Sequence, residues 1–472
     1  MRQRLWAQVR APRIAWFDLS MATIDRRRLS GLLEQERVKH LARTPLSRAA
    51  YEAADHLFGR VPMTWMNKWA GGYPVSMASA HGNRIVDLDG NEYVDFALGD
   101  TAAMAGHSPA ATVAAVTKRL AVDGGITTML PSEDGEWVGA DLTRRFGLPL
   151  WSFTLSATDA NRWALRIGRL VTGKPKVLAF SYCYHGAVDE TFVVCGVDGE
   201  PEARGGNVGP PVPITDTTRV AEFNDLASVE RALAHGDVAV VITEPALTNI
   251  GIVLPEPGFL DGLRELCTRY GALLLIDETH TISAGPGGCT EMWDLKPDLF
   301  VIGKGIGGGI PCGAYGITNE IAEVIRSNLE ADLVDVGGVG GTLAGNVLST
   351  AAMRATLGEV LTAPAFDHMI AMATRFTSGV EQVLAETQTP WSIVQLGARA
   401  EYRFISPAPT SGSASALADD EELEDYLHLY LSNRGVLMTP FHNMALMCPQ
   451  TSAADVDLHT ALFTRALVDL LN

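Results

Sequence analysis

"LFVIGKGIGGGIPCGAYG", Leu299 to Gly316, places seven glycines around one lysine, directly after an apolar run. Two interpretations of this stretch compete. Gly303, Gly305 and Gly308 satisfy the pattern G-x-G-x-x-G, in which the backbone closely approaches a dinucleotide pyrophosphate. In the other interpretation, the glycines leave room around Lys304 because a cofactor is attached to its amine.

The residues that follow the third glycine separate the two interpretations. A dinucleotide loop leads into a helix whose N-terminus faces the pyrophosphate. Here the chain continues as "GIPCGAYGITNE", in which Pro311 and further glycines oppose a helix. We therefore predict no helix after the loop, and we interpret the G-x-G-x-x-G match as accidental.

The position of Lys304 favours an attached cofactor over a surface lysine in a flexible loop. Of the seven lysines in the chain, only Lys304 lies directly at the end of an apolar strand. Ligands bind at this rim in parallel sheets. A lysine at the rim is desolvated, so its amine is more easily neutral and nucleophilic, as Schiff-base chemistry requires.

A Schiff-base lysine predicts two further groups for pyridoxal phosphate. The pyridinium nitrogen needs a carboxylate, and "LLLIDETH" places Asp277 at the end of the preceding strand. The phosphate needs a helix N-terminus, and "LSATDANRWALRIGR" offers Ser156 and Thr158 where a strand becomes a helix. Taken singly, Asp277 also fits a carboxylate that caps a neighbouring loop, and the second segment fits an ordinary N-cap.

The order of helical and apolar segments predicts an α/β fold. Residues 22–60 are rich in helix formers, and "NRIVDLDGNEYVDFA" indicates a hairpin. From about residue 110 to 330, Val/Ile/Leu strands alternate with helices, which indicates a mainly parallel sheet covered on both faces. The C-terminal part, with helices and a few strands, indicates a smaller α+β domain.

Bulk composition argues against several function classes. The net charge of −18 disfavours nucleic acid and anionic membranes as partners, because both reward clustered Lys and Arg. No apolar stretch reaches the ~18 residues of a membrane span. Six cysteines without a C-x-x-C pair indicate neither a zinc site nor a disulfide framework, so we expect no metal and a reducing, cytoplasmic compartment. Residues 1–20 are expected to be an extension before Met21.

From about Pro62 to the C-terminus, the sequence resembles the class III aminotransferases of the fold-type I pyridoxal-phosphate enzymes, especially the branch around glutamate-1-semialdehyde aminomutase. The motifs that carry the resemblance occur in the family's order: "VDLDGNEYVDF", "GHSPA", "LSATDAN", "CYHGAVDE", "ITEPALTNIG", "LLLIDETH", "VIGKGIGGGIPCGAYG" and "GGTLAGNVLS". The resemblance implies a large domain with a mainly parallel seven-stranded sheet, residues 106–345. It also implies a smaller α+β domain from both chain ends, residues 21–105 and 346–472.

The resemblance also assigns cofactor contacts to the residues before the lysine loop. "LSATDAN" is similar to the phosphate loop, which gives Ser156, Ala157 and Thr158, with Ala157 where the family has glycine. "CYHGAVDE" resembles the segment whose aromatic ring stacks on the cofactor, which implies Tyr184. "ITEPALTNIG" implies Glu244 as a contact and places Asn249 at the position that reaches the pyridine oxygen.

Three further motifs complete the implied site. In "LLLIDETH", Asp277 serves the ring nitrogen and Thr279, where the family has Val or Ile, the opposite ring face. His280 follows and could reach the cofactor edge, but the sequence favours a plain hydrogen-bonded histidine at the end of the strand. "GGTLAGNVLS" resembles the segment, Gly341–Thr342, whose threonine contacts the phosphate held by the other subunit, which implies a homodimer with shared active sites.

The segment before the hairpin bears on substrate choice. Several amino-acid transaminases of this branch have an arginine there, whereas this chain has "MTWMNKWAGGYP", with Trp65 and no arginine. This favours a bulky or aromatic amine as donor, although ordinary core packing of the tryptophans is the alternative. A keto acid still needs a cation, for which Arg399 and Arg403 in "LGARAEYRFIS" are the candidates.

The resemblance thus predicts an aminotransferase that moves an amino group from an amine or amino acid to a keto acid such as pyruvate, through a Lys304 aldimine. An aminomutase or racemase of the glutamate-1-semialdehyde aminomutase type is the alternative, because it uses the same cofactor contacts. A non-catalytic cofactor-binding regulator is disfavoured because the lysine is present and no DNA-binding segment is appended. A nucleotide oxidoreductase is disfavoured with the G-x-G-x-x-G match.

Overall fold

The computed structural model describes residues 24–328 and 341–472. The extension predicted for residues 1–20 therefore lies outside the described residues. The α-helices, in chain order, are α1 (Arg26–Arg43), α2 (Pro45–Glu52), α3 (Ala110–Lys118), α4 (Glu133–Phe146), α5 (Ala157–Thr172), α6 (Ile214–Thr217), α7 (Leu226–Leu233), α8 (Phe259–Tyr270), α9 (Gly288–Met292), α10 (Asn319–Ser327), α11 (Val347–Ala355), α12 (Ala363–Thr387), α13 (Gly412–Ala416), α14 (Glu421–Ser432) and α15 (Ala453–Leu471).

The strands form one large sheet and three small ones. In chain order they are β1 (Met77–His81), β2 (Arg84–Asp87), β3 (Glu92–Asp95), β4 (Leu150–Thr154), β5 (Lys176–Phe180), β6 (Val193–Cys195), β7 (Pro201–Ala203), β8 (Thr218–Ala221), β9 (Val238–Thr243), β10 (Leu273–Asp277), β11 (Leu299–Gly303), β12 (Gly313–Ile317), β13 (Ser392–Leu396), β14 (Arg399–Arg403), β15 (Val436–Leu437) and β16 (Met444–Leu446).

The central sheet has seven strands in the order β4-β12-β11-β10-β9-β5-β8. Neighbouring strands are parallel except that β12 runs antiparallel to both β11 and β4. Every residue of β9 is buried, as expected for a strand covered on both faces. The mainly parallel sheet predicted from the alternating segments is confirmed.

The parallel strands bring chemistry-bearing residues to one edge of this sheet. Asp277 ends β10 and is in register with Val301 of the neighbouring β11. Lys304 follows β11 directly. Helix α5 begins a few residues after β4 ends, so its N-terminus starts at the same edge.

The glycine loop forms no helix of the dinucleotide-binding kind. Lys304–Gly307 makes one short 3-10 turn, and the chain enters β12 at Gly313. The prediction that no helix follows the loop is confirmed.

The two chain ends meet in the smaller sheets. The predicted hairpin is present as β2 and β3, and β15 pairs in parallel with β3. Helix α1 packs against α14, where Arg26 forms an ion pair with Asp420. Both ends therefore contribute to one smaller α+β unit, while the residue ranges of the domains stay a prediction.

The N-terminal helical prediction is wrong in its last part. Helix α2 ends at Glu52, although the sequence favours helix up to Arg60. Most residues from 52 to 60 are exposed, with Phe58 at 89%. Helix propensity without an apolar face to bury is insufficient to hold a helix.

Among the helices in the described part of the chain, none combines the length and the apolar character needed to cross a membrane.

Candidate active site

A cavity of about 780 Å³ opens at the edge of the central sheet where the strands end. Its wall contains Asp277 after β10, Lys304 after β11, and Ser156 to Thr158 at the start of α5. The lysine, the carboxylate and the helix N-terminus that the sequence analysis assigned to one cofactor therefore share one cavity.

Lys304 is held by two acceptors. Its Nζ donates to Asp100 Oδ2 at 2.7 Å and lies 2.8 Å from His280 Nε2. The backbone of Lys304 has a φ of +50°, in the left-handed region that non-glycine residues rarely adopt. Backbone strain of this kind concentrates at functional sites. Lys304 is thus a positioned group and not a flexible surface lysine.

The two acceptors of Lys304 differ in charge. Burial opposes ionisation of Asp100, but Lys304, His280 and His442 together outweigh it and hold the pKa of this carboxyl well below its ordinary value. Burial, together with the charge of Lys304, lowers the pKa of His280 well below its ordinary value. At neutral pH, the lysine therefore lies between a carboxylate and a neutral imidazole.

Asp277 is buried, yet it is surrounded by donors. His185 Nδ1 lies 2.9 Å from Oδ2, Asn161 Nδ2 donates to the same oxygen at 2.8 Å, and the Thr279 amide donates to Oδ1 at 3.0 Å. Burial alone would raise the pKa of Asp277, but the hydrogen bond to His185 and the other donors keep it below its ordinary value. The cavity therefore has a fixed negative charge at the end of β10.

The sequence analysis missed His185, Asn161 and Asp100. His185 and Asn161 lie inside the motifs "CYHGAVDE" and "LSATDAN", and Asn161 is one helical turn after Ala157 on α5. A one-turn spacing from the phosphate loop is a signal that would have pointed to Asn161. Asp100 follows the hairpin without a motif, and only the fold brings it to Lys304.

The glycines of the lysine loop place α5 against the sheet. A Cβ on Gly303 would lie 3.0 Å from the Ala157 side chain, and a Cβ on Gly313 would lie 2.6 Å from the Ser156 backbone. Only glycine permits this approach, which brings the start of α5 close to Lys304. The first N–H groups of a helix have no partner within the helix and bind anions.

The predicted ring contacts lie on or just beneath the cavity wall. Tyr184 and Thr279 line it, and Thr279 Oγ1 is buried without a hydrogen-bond partner among the described residues. Asn249 also lines it and, with its amide oxygen turned toward Arg204, accepts from Nη2 at 2.6 Å. Glu244 lies behind the wall and accepts from Thr248; burial raises the pKa of Glu244 to about 7.

The structure brings only one of the predicted substrate residues to the cavity wall. Trp65 lines it and packs edge-on against Phe441, with ring centroids 5.8 Å apart. Arg399 is buried beneath the wall, and its Nη2 donates to Thr101 Oγ1 at 2.6 Å. Arg403 is also buried and donates to the Ser415 carbonyl and to Asp419.

Neither arginine therefore faces the cavity as a free guanidinium, in contrast to the sequence-based expectation. The reason is that folding supplies each one with a partner: Thr101, from a distant segment, for Arg399, and Asp419, from the loop that follows β14, for Arg403.

Besides Lys304, Arg204, His185 and His280, the wall has two further basic groups among the described residues, Lys68 and His442. Burial disfavours a charged His442, but Glu401, 3.4 Å away, together with Asp100 and Glu424 outweighs it and raises the pKa of the imidazole.

Gly341 and Thr342 lie outside this cavity. Both are exposed in the described chain, and neither belongs to the residues that line the wall. The position of Thr342 leaves it free to serve a different site, so its role toward a second subunit stays a prediction.

The comparison with known proteins identifies the family. A family model described as Aminotransferase class-III matches residues 65–467, which is most of the chain. The chain belongs to the class III aminotransferases.

Its similarity to members of the family extends over nearly the whole length. It is 33% identical over 377 residues to a glutamate-1-semialdehyde 2,1-aminomutase of Roseiflexus castenholzii, which covers 78% of this chain and 84% of that protein. A glutamate-1-semialdehyde-aminomutase structure from Pseudomonas aeruginosa PAO1 matches with a TM-score of 0.91 at 47% identity, covering 95% of this chain and 99% of that one. An omega-transaminase structure from Sphaerobacter thermophilus matches with a TM-score of 0.81 at 28% identity, covering 90% and 98%.

As a class III aminotransferase, the protein uses pyridoxal phosphate as its cofactor. A lysine-to-alanine variant of the Pseudomonas enzyme was solved in complex with PMP, at 46% identity to this chain. The residues here fit such a group. Asp277 is a buried anion for a pyridinium nitrogen, the start of α5 offers free N–H groups for a phosphate, and Thr279, whose Oγ1 has no partner among the described residues, lines the same cavity.

Proposed function

We propose that this class III aminotransferase is an aminomutase of the glutamate-1-semialdehyde type, which moves an amino group within one small substrate. The observation that carries the choice is the 47% identity, over 95% of the chain, to a glutamate-1-semialdehyde-aminomutase structure. The sequence analysis had this reaction as the alternative and an intermolecular transaminase as its first choice. The relatives reverse that order.

The proposed chemistry divides between the cofactor and the chain. When bound, pyridoxal phosphate supplies an aldehyde that captures an amine and a ring that accepts an electron pair. Lys304 Nζ holds the cofactor until the substrate amine replaces it. The freed Nζ would act as a general base and acid: it would take a proton from the carbon that loses the amine and supply one to the carbon that gains it, while the bound cofactor would carry the amino group between them.

Asp277 acts on the ring nitrogen in this proposal. As a carboxylate it stabilises a proton there, which lets the ring withdraw electrons from the reacting carbon. His185 and Asn161 keep the carboxylate ionised and oriented through their hydrogen bonds at 2.9 and 2.8 Å. The start of α5 fixes the phosphate, so the ring has one orientation relative to Lys304.

Two basic groups on the cavity wall, Lys68 and His442, are suited to bind a carboxylate of the substrate. Lys68 is exposed and has no hydrogen bond or ion pair among the described residues. His442 has its positive charge supported by Glu401, at 3.4 Å. These two groups replace Arg399 and Arg403 as our candidates for binding a substrate carboxylate.

An intermolecular transaminase with a bulky or aromatic donor remains the second candidate. It is supported by the aromatic pair of Trp65 and Phe441 on the wall and by the similarity to an omega-transaminase structure. Such a pair provides a flat apolar surface for an aromatic substituent.

The test is a comparison of two reactions with the purified, cofactor-loaded protein. Glutamate 1-semialdehyde alone should give the rearranged 5-amino-4-oxo acid, measured by chromatography. An aromatic amine with pyruvate should consume pyruvate much more slowly. The reverse result would establish the transaminase and reject the aminomutase.

The matched variants of this test are Lys304→Ala and Lys296→Ala. Lys304→Ala should lose turnover in either reaction, because the amine that holds the cofactor and moves the proton is gone. Lys296 is an exposed lysine paired with Asp294, so its alanine variant should keep wild-type turnover. Wild-type turnover in Lys304→Ala would contradict the assignment of the lysine.

We also propose that the active unit is a homodimer in which Thr342 completes the phosphate site of the other subunit. The compartment is cytoplasmic, because six free cysteines, five of them buried, suit a reducing environment.

A further inference from the structure

Lys304 Nζ has more acceptors around it than a lysine that only carries a cofactor requires. Asp100 Oδ2 is 2.7 Å away and His280 Nε2 is 2.8 Å away. Asp100 has a φ of +50°, so the backbone is held in an unfavourable conformation that aims this carboxylate at the lysine. Neither Asp100 nor His280 has a role in the proposed reaction so far.

The contact with Lys304 Nζ, at 2.8 Å, decides which nitrogen of the His280 ring accepts. A protonated Nζ has donors only, so His280 Nε2 must accept from it and Nδ1 must carry the ring proton. Nδ1 lies 3.0 Å from Thr101 Oγ1, which also accepts from Arg399 Nη2 at 2.6 Å. The buried Arg399 thus orients Thr101 Oγ1, which accepts a hydrogen bond from Nδ1–H of His280.

We propose that Asp100 and His280 are paired acceptors that hold a proton on Lys304 Nζ, also after the lysine is joined to the cofactor. When the protonated Lys304 amine condenses with the cofactor aldehyde, Nζ would form a double bond to the aldehyde carbon. Two hydrogens of Nζ would leave with the aldehyde oxygen as water, and one proton would stay on Nζ. That proton makes the carbon more electrophilic toward a substrate amine, so Asp100 and His280 keep the resting enzyme ready to react.

The charges around the pair are consistent with this role. Asp100 provides the negative charge nearest to Nζ, and burial keeps His280 neutral, so the pair has a net charge of about −1. The other charged or titratable groups that interact with Asp100 and His280 come from separate elements: Arg399 of β14, His442 before β16, Asp277 of β10 and Tyr184 after β5. None of these four forms a hydrogen bond or ion pair with Lys304 among the described residues.

The experiment is a pH titration of the visible absorbance of the cofactor-loaded enzyme, since the lysine-bound cofactor changes colour when Nζ loses its proton. The wild type should keep the protonated band up to alkaline pH. Asp100→Asn should move the midpoint down by about 1–3 pH units, the usual effect of one adjacent opposite charge. His280→Phe should move it down by less, because it removes a neutral acceptor.

The control variant is Asp419→Asn, which removes a carboxylate from the same cavity wall. Asp419 pairs with Arg403, not with Lys304, so the midpoint should stay at the wild-type value. Asparagine tolerates a positive φ, and circular dichroism checks that each variant is folded. If Asp100→Asn loses the cofactor, the His280→Phe titration decides.

The inference is overturned if the Asp100→Asn midpoint equals that of the wild type, or if Asp419→Asn moves it equally. It is also overturned if Asp100→Asn holds no cofactor and His280→Phe titrates like the wild type. The inference rests on the proposed function, because Lys304 must carry the cofactor. Borohydride reduction of the wild type, followed by peptide mass spectrometry, tests that first: an unmodified Lys304 rejects the proposed function before any variant is titrated.

Discussion

Asp277 stays ionised inside the protein because hydrogen-bond donors contact both of its carboxylate oxygens and the side chain lines the cavity. A buried carboxylate without such partners would take up a proton instead. His185 and Asn161 share Oδ2, and the Thr279 amide occupies Oδ1, so the side chain has little freedom to turn. The residue is thus built to present one fixed anion to a ring.

Asp277→Asn should retain some cofactor but lose most turnover. An amide has the same shape but cannot keep a proton on the ring nitrogen, so the electron-accepting power of the ring falls. We expect a loss of more than tenfold, which corresponds to more than ~1.4 kcal/mol of barrier. Turnover and cofactor absorbance are measured on the same preparation.

Asp419→Asn is the matched control, since it makes the same chemical change elsewhere on the cavity wall. It should remain within about twofold of the wild type, because Asp419 is 58% exposed and the oxygen of an asparagine there can still accept from the buried Arg403. A loss of less than tenfold in Asp277→Asn would mean that another group serves the ring nitrogen.

At the scale of elements, the site depends on how closely α5 approaches the strands that carry the lysine loop. Gly313 opens β12, and a Cβ there would meet the Ser156 carbonyl carbon and oxygen at 2.6 Å. Both are backbone atoms, so a rotamer change cannot relieve the clash. Anion binding at a helix N-terminus is a short-range effect of the first turn, so it is sensitive to such a displacement.

Gly313→Ala should therefore weaken cofactor binding by at least tenfold, consistent with the 1–3 kcal/mol that overpacking typically costs. The dissociation constant of pyridoxal phosphate is measured by fluorescence or absorbance titration of the resolved enzyme. Gly139→Ala is the control: Gly139 lies within α4 and an added Cβ meets no atom within 4 Å. Equal affinity of both variants would show that α5 does not bind the phosphate.

Sequence patterns predicted these elements well where burial and local order agree. The strands β9, β10 and β11 are continuous apolar runs, and each ends where a polar or glycine residue begins. For this reason Asp277 and Lys304 were placed correctly at strand ends. The segment from 53 to 60 failed because its helix formers have no apolar surface to cover.

Across the whole molecule, the unpredicted part of the site consists of contacts between distant segments. Asp100 and Lys304 are 204 residues apart, and Arg399 and Thr101 are 298 apart. No local periodicity records such pairs, because they follow from how the strands are ordered in the sheet. Arg403 is different: Asp419 is only 16 residues away, but no regular spacing across the intervening loop indicates that the two residues pair.

At the scale of the whole molecule, we expect each active site to include Thr342 of a second subunit. Thr342 is exposed and lies off the cavity of its own chain, and Leu343 beside it is 47% exposed. In a symmetric dimer each chain would lend the same segment to the other. Two inactive variants can therefore test whether the sites are shared.

The last prediction is that Lys304→Ala and Thr342→Asp, each inactive alone, restore activity when they are co-expressed. Thr342→Asp should abolish binding by placing a negative charge against the phosphate. In a mixed dimer with shared sites, one site receives both mutations and the other receives neither, so the latter is a wild-type site. Mixed dimers purified through two different tags should then have about half of the wild-type activity, because one of their two sites is intact. If Thr342 served its own chain, both sites of the mixed dimer would be defective, and no activity would return.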